Sequence, residues 1–182
     1  MPHDDPRTDD VLIAAANHGE AAAFSSLYFR HRDWVVRLAR RFTGSDDDAL
    51  DVLQETFAYL FRKFPGFQLT ASMTTFLYPV VKNLSIAVRR KRRRFIGAAE
   101  SLDEIPALET SPDDARGELA AVMSALPETH REVVLMRFVD AMSLEEIAVA
   151  LAIPLGTVKS RLHHALAALR EDPRTQAYFQ AR

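Results

Sequence analysis

Residues 143–170 read Ser-Leu-Glu-Glu-Ile-Ala-Val-Ala-Leu-Ala-Ile-Pro-Leu-Gly-Thr-Val-Lys-Ser-Arg-Leu-His-His-Ala-Leu-Ala-Ala-Leu-Arg. This stretch decides the fold of the C-terminal half. Ser143 is a natural N-cap, and Glu146 completes a capping box, so a helix should begin here. Leu144, Ile147, Ala148 and Leu151 then share one face. The corner runs from Ala152 to Gly156, because Pro154 disfavours helical geometry at Ile153. Thr157 is expected to cap a second helix. Val158, Leu162, Ala165, Leu166 and Leu169 form its inner stripe, leaving Lys159, Ser160, Arg161, His163 and His164 mostly outside.

Two short helices with a tight corner are a helix-turn-helix pattern. The second helix has a polar, basic outer face of the kind that fits the DNA major groove, its N-terminal residues nearest the base edges. Lys159 and Arg161 can reach phosphates or guanine, and Ser160 can hydrogen-bond a base edge. The same pattern also fits an ordinary antiparallel helix pair with a solvated basic face, so the rest of the chain must decide.

The remaining sequence looks helical almost throughout. Asp9 or Asp10 can start a first helix carrying Leu12, Ile13, Ala16, Phe24, Leu27 and Tyr28, which Gly19 bends or interrupts. A second is expected over Asp33 to Phe42, with Trp34, Val35, Leu38 and Phe42 inward. After the break at Thr43-Gly44-Ser45, Asp46, Asp47 and Asp48 sit where a helix N-terminus favours negative charge. An acidic run can also bind a divalent cation. The third helix should reach about Phe64, with Leu50, Leu53, Phe57, Leu60 and Phe61 as its core stripe, and Pro65-Gly66 ends it. Phe67 to Met73 reads as a polar loop. A fourth helix begins near Ser72 to Thr75 and continues through Arg89 or beyond. Helices from Asp113 to Ala125, and from Leu126-Pro127 through Arg131 to Val139, precede the C-terminal pair. No strand, repeat or low-complexity tract is evident.

The formal net charge of −2 conceals a strong asymmetry. Residues 89–94 are all basic, whereas 95–115 hold six acids and no Lys or Arg. The segments on either side are nearly balanced, with nine cations and eleven acids in 1–88 and eight of each in 116–182. Such patterning informs where net charge does not. Residues 95–115 also contain Gly97, Pro106 and Pro112 and no sustained period. The expected fold class is therefore all-α. Two small helical domains, 8–94 and 116–172, are joined by an acidic flexible linker over 95–115, and the C-terminal domain contains the helix-turn-helix.

The chain has no cysteine, which excludes disulfides and thiolate metal sites. The six histidines show no metal-ligand spacing, and the adjacent pair His163-His164 diverges on a helix. No phosphate loop and no Gly-x-Ser-x-Gly occur. Neither enzymatic activity, a metal nor a cofactor is expected. The acidic N-terminus is unlike a signal peptide, and no apolar run approaches the roughly 18 residues of a membrane span. A soluble, cytoplasmic protein is expected, with only a short tail after Arg170, through Pro173 to Arg182.

Two blocks carry a resemblance. The first is Asp48-Ala49-Leu50-Asp51-Val52-Leu53-Gln54-Glu55-Thr56-Phe57, followed by Thr75-Phe76-Leu77-Tyr78 through Asn83 and the Arg89–Arg94 run. The second is Leu126-Pro127-Glu128-Thr129-His130-Arg131-Glu132-Val133-Val134-Leu135, then Ser143–Ala148, then Gly156-Thr157-Val158-Lys159-Ser160-Arg161. In this order, with an acidic tether between them, they resemble the extracytoplasmic-function group of RNA polymerase sigma factors, within the sigma-70 family.

The resemblance implies a factor that binds core RNA polymerase, at the largest-subunit clamp helices and the flap region, and directs promoter-specific initiation. Asp51, Gln54 and Glu55 match the polymerase-binding surface, and their spacing puts them on one helix face. The loop Phe67–Met73 and the helix from Thr75 to Arg94 match the part that opens and reads the −10 promoter element. Asn83 matches a position near the pocket for a flipped base, where its amide both donates and accepts. Phe67, Phe76 and Tyr78 serve either as stacking faces or as core. Arg89, Arg90, Lys91, Arg92, Arg93 and Arg94 would hold duplex phosphates and supply salt-sensitive affinity. Thr157, Lys159, Ser160, Arg161, His163 and His164 would read the −35 element. The tether either follows the polymerase's RNA path or is a solvated linker. An anti-sigma partner is also implied.

Three positions depart from the family pattern. Ala87 stands where an acid or amide is common, which bears on −10 recognition. Ala152 occupies a corner often held by Gly, at a cost of about 1 kcal/mol if its φ is positive. His164 replaces a common arginine. The main alternative is a stand-alone helix-turn-helix regulator, and a weaker one is a helical adaptor that does not bind DNA.

Overall fold

A computed structural model describes residues 5–96 and 115–175. They fall into two compact units, one on either side of 97–114. Most of the expected tether, and the expected helix start at Asp113, thus lie outside the described residues. Every element bounded among them is a helix: α1 (Asp9–Asn17), α2 (Ala21–Thr43), α3 (Asp46–Phe61) and α4 (Met73–Ile96) in the first unit, then α5 (Ala115–Ala125), α6 (Glu128–Phe138), α7 (Leu144–Leu151) and α8 (Leu155–Glu171) in the second. None of them is long and apolar enough to cross a membrane.

In the first unit α2 is the central post, against which α1, α3 and α4 all pack. Its buried stripe is Ala23, Leu27, Val35, Leu38, Ala39 and Phe42. The sequence suggested a separate helix from Asp33, but α2 runs unbroken from Ala21. The polar stretch that looked like a boundary is absorbed by distant partners. His31 is buried and its Nε2 lies 2.9 Å from Asp9 Oδ2. Arg30 donates to Asp9 Oδ1 at 2.7 Å and to the carbonyls of Asp5 and Arg7 at 2.7 and 2.8 Å. Burial works against ionisation of Asp9, yet its bonds to His31 and Arg30 hold the carboxyl below its ordinary range.

The helix junctions follow local chemistry. Gly44 ends α2 at φ 67°, where a β-carbon would be strained, and its N–H donates to Arg40 O at 2.8 Å. Ser45 caps α3, accepting from Asp48 N at 3.3 Å. Helix α3 ends at Phe61, a turn earlier than expected, and Pro79 lies within α4. The loop between them is clasped from α1. Asn17 Oδ1 accepts from the N–H groups of Gly66 and Phe67 at 2.7 and 3.0 Å, and its Nδ2 donates to Phe67 O at 2.8 Å. One amide side chain thereby satisfies three backbone groups that no helix provides for.

In the second unit α8 packs against α6 and α7. Val122, Met123, Leu126, Val134, Leu135, Ala165 and Leu169 form a core, with Leu162 and Leu166 packed against it. Residues Glu132 to Met136 are all buried, whereas Phe138 and Val139 are exposed.

Candidate polymerase and promoter interfaces

On α3, Val52, Leu53, Thr56, Phe57 and Leu60 are buried, so Asp51, Gln54 and Glu55 are pushed to the surface. All three are exposed. Two residues expected in the core join them instead: Leu50 is 49% exposed and Phe61 62%. Leu50, Gln54 and Phe61 follow one helical row, so the polar triad is flanked by apolar surface. The core has no room for this row because α2 and α4 already close the other side of α3. Phe61 rests edge-on against Phe24 at 5.1 Å, which keeps its ring partly covered.

Helix α4 gathers a second set. Asn83, Ile86, Ala87, Arg90, Lys91 and Arg94 line one groove of about 540 Å³ along the helix. Their spacing is that of a single face. Ala87 stands between Asn83 and Lys91, and its short side chain keeps the groove open there. Arg92 turns elsewhere, donating to Asp48 Oδ2 at 3.0 Å at the start of α3. Arg89 and Arg93 are half-buried on α4 and also engaged. The six consecutive cations are thus unequally available.

Phe67 does not present a stacking face in this conformation. It is 7% exposed, with its ring 5.4 Å from Phe64 and 4.9 Å from Phe76. The Asn17 clasp holds its backbone and fixes it in that aromatic row. Tyr78 is also core, 6.1 Å from Phe42, while Phe76 is half-buried.

The third set is the helix-turn-helix. Glu146 N donates to Ser143 Oγ at 3.1 Å, and Ser143 N donates to Glu146 Oε2 at 2.8 Å, so the capping box is complete. Ala152 ends α7 at φ 52°, the strained left-handed geometry that a glycine would relieve. Ala141, before α7, has φ 55° and carries the same strain, which no sequence signal had marked. The cap of α8 is Pro154, two residues before its second position; Thr157 lies inside the first turn and its N–H donates to Pro154 O at 2.9 Å. Proline has no side-chain acceptor, so α8 opens without a side-chain cap, and Thr157 stands too far inside the first turn to serve as one. Val158, Ala165 and Leu169 are buried. Lys159, Ser160, His163 and His164 are exposed, and Thr157 and Arg161 half-buried. Residues 157–164 thus lie together along α8. His130 of α6, outside the expected site, joins them: its ring is 6.3 Å from that of His164.

Two polar-faced helices in one unit and a helix-turn-helix in the other define a protein that meets both a protein surface and nucleic acid. Residues 27–95 match the family description Sigma-70 region 2, and residues 116–169 match Sigma-70, region 4. The chain is similar to the ECF RNA polymerase sigma factor SigE of Mycolicibacterium smegmatis, 33% identical over 178 residues that cover 93% of this chain and 69% of the relative. It is 29% identical over 177 residues to the ECF RNA polymerase sigma factor SigW of Bacillus subtilis, covering 89% of this chain and 95% of that one. Among solved structures, CnrH in complex with the cytosolic domain of CnrY superposes with a TM-score of 0.64 at 25% identity, covering 95% of this chain and 97% of that one. The chain belongs to the extracytoplasmic-function sigma factors of the sigma-70 family, which are transcription initiation factors.

Proposed function

We infer that the chain binds core RNA polymerase through the exposed α3 face and directs it to promoters through α4 and α8. Asp51, Gln54 and Glu55 meet the clamp helices of the largest subunit, with Leu50 and Phe61 as apolar flanks. Asn83 and the groove beside it take the −10 element, and Arg90, Lys91 and Arg94 hold the phosphates next to it. Residues 157–164 of α8 enter the major groove at the −35 element. Phe138, Val139 and Val149, exposed on the second unit, offer apolar surface to the flap region. The protein acts in the cytoplasm, where polymerase is, and an anti-sigma factor masks these faces when transcription is not called for. The chemistry of RNA synthesis stays with the polymerase.

The observation that carries this reading is that one unit holds both the exposed Asp51/Gln54/Glu55 face and the Asn83 groove. A stand-alone regulator needs only the second unit. The test is transcription by purified core polymerase on fragmented genomic DNA from the source organism, with transcript starts mapped. New starts sharing two spaced upstream elements are expected. Asp51→Arg with Glu55→Arg should remove them, by loss of polymerase binding, while leaving DNA binding intact. Starts unchanged by that variant would overturn the α3 assignment, and DNA binding without any new start would leave the stand-alone regulator.

A further inference from the structure

His130 stands in the first turn of α6. Its ring meets that of His164 on α8 at 6.3 Å and 72°, and His164 meets His163 at 5.6 Å and 73°. Three imidazoles from two helices therefore form one edge-to-face row, with Arg161 a turn before His164. The Nδ1 of His130 is enclosed and has no hydrogen-bond partner. With Nδ1 enclosed, Nε2 is the ring nitrogen that an anion arriving from outside can meet.

The surroundings oppose charge on His130 while the protein is free. Burial, and then the charges of His164 and Arg161, hold the His130 imidazole below its usual range. The carboxylates of the packed helices are Glu128 and Glu132 on α6, Glu145 and Glu146 on α7 and Glu171 on α8, and none of them offsets this. Glu146 of α7 is occupied by the capping box and Glu145 is exposed at the surface. On α6 itself, Arg131 donates to Leu126 O at 3.4 Å, and Glu128 opens the helix. From Ala120 to Ala125, α5 carries no titratable group. An anion arriving at the row would reverse the balance, because it favours the protonated rings.

We propose that His130, His163 and His164 form a phosphate-binding row that is charged by protons taken up when duplex DNA binds. Protonated ring N–H groups donate to phosphate oxygens beside Arg161, and His130 adds to the DNA-facing surface a contact from outside the helix-turn-helix. This rests on the reading that α8 faces DNA. The affinity for duplex then rises as pH falls, at constant salt.

The test is fluorescence anisotropy of the full chain with a short mixed-sequence duplex, at fixed ionic strength across the histidine range. Binding should be roughly three- to tenfold tighter at about pH 6 than at about pH 7.5. Calorimetry in two buffers of unlike ionisation enthalpy should register proton uptake by the unaltered protein. His130→Gln should reduce the pH slope, and His130→Gln with His163→Gln and His164→Gln should abolish it, whatever the absolute affinity. A flat profile and no proton uptake in the unaltered protein would overturn the proposal, as would a slope that survives in the triple variant. Lys159→Glu with Arg161→Glu separates the two levels. Loss of binding in that variant supports α8 as the DNA face even where the row fails, whereas undiminished binding would overturn both.

Discussion

Helix α4 carries six consecutive cations, yet only Arg90, Lys91 and Arg94 share the groove with Asn83, and Arg92 is already paired with Asp48. Residues 157–164 of α8 carry just Lys159 and Arg161 as fixed cations, interleaved with Ser160 and two histidines. The first arrangement is dense in charge and poor in groups that can tell one base from another. The second is sparse in charge, and the corner at Ala152 and Pro154 holds it on a packed scaffold. Phosphate contacts give affinity and position, and base contacts give sequence preference. On the proposed reading the contrast divides the work: the α4 cations supply most of the phosphate grip, and α8 supplies discrimination at the −35 element.

The sharpest way to break this division is to neutralise the α4 face. Arg90→Ala, Lys91→Ala and Arg94→Ala together should weaken duplex binding by roughly a hundredfold at moderate salt, and flatten the dependence of log K on log salt by about 2 to 3. Which promoters are preferred should not change. On α8 the signature should be the reverse. Arg161→Ala should shift the preference among −35 sequences by about 1–3 kcal/mol while altering the salt slope by only about one. Competition binding over a library of −35 variants at two salt concentrations reads both numbers.

Smaller effects refine the picture. Ala152→Gly should stabilise the second unit by about 1 kcal/mol by relieving the left-handed alanine. It should appear as a higher denaturant midpoint at unchanged slope, with unfolding of the first unit unaffected. Asp48→Asn frees Arg92 and should tighten non-specific duplex binding by about two- to threefold, the size of a partly exposed ion pair. A change of the same size in Arg92→Ala as in Arg90→Ala would contradict the unequal availability of the basic run.

Much of the fold was legible because its signals are local. The capping box at Ser143 and the break at Thr43-Gly44-Ser45 each act within a few residues. The α3 triad was picked out by the resemblance, and its spacing is enough to place it on one face. What could not be read depends on contacts distant in sequence. The continuity of α2 needs Asp9 to receive His31. The burial of Phe67 needs Asn17, far upstream. Leu50 and Phe61 looked like core because their apolar character fits the helical stripe, and only the positions of α2 and α4 show that the stripe is already full. His130 escaped notice because its partner lies on another helix. For Thr157, a good cap residue was read where Pro154 had already opened the helix.

The Asn17 clasp has a consequence for exchange between relatives. It fixes Gly66 and Phe67, in the middle of the loop, to α1, and the Ser72 hydroxyl accepts the Thr75 N–H at 3.3 Å as α4 begins. Between these two fastenings, residues 68–71 form a cassette whose ends are set independently of its content. If, as proposed, this side of the first unit meets the −10 element, a loop of equal length from another family member grafted there should bring its own −10 preference, provided Asn17 and Ser72 are kept.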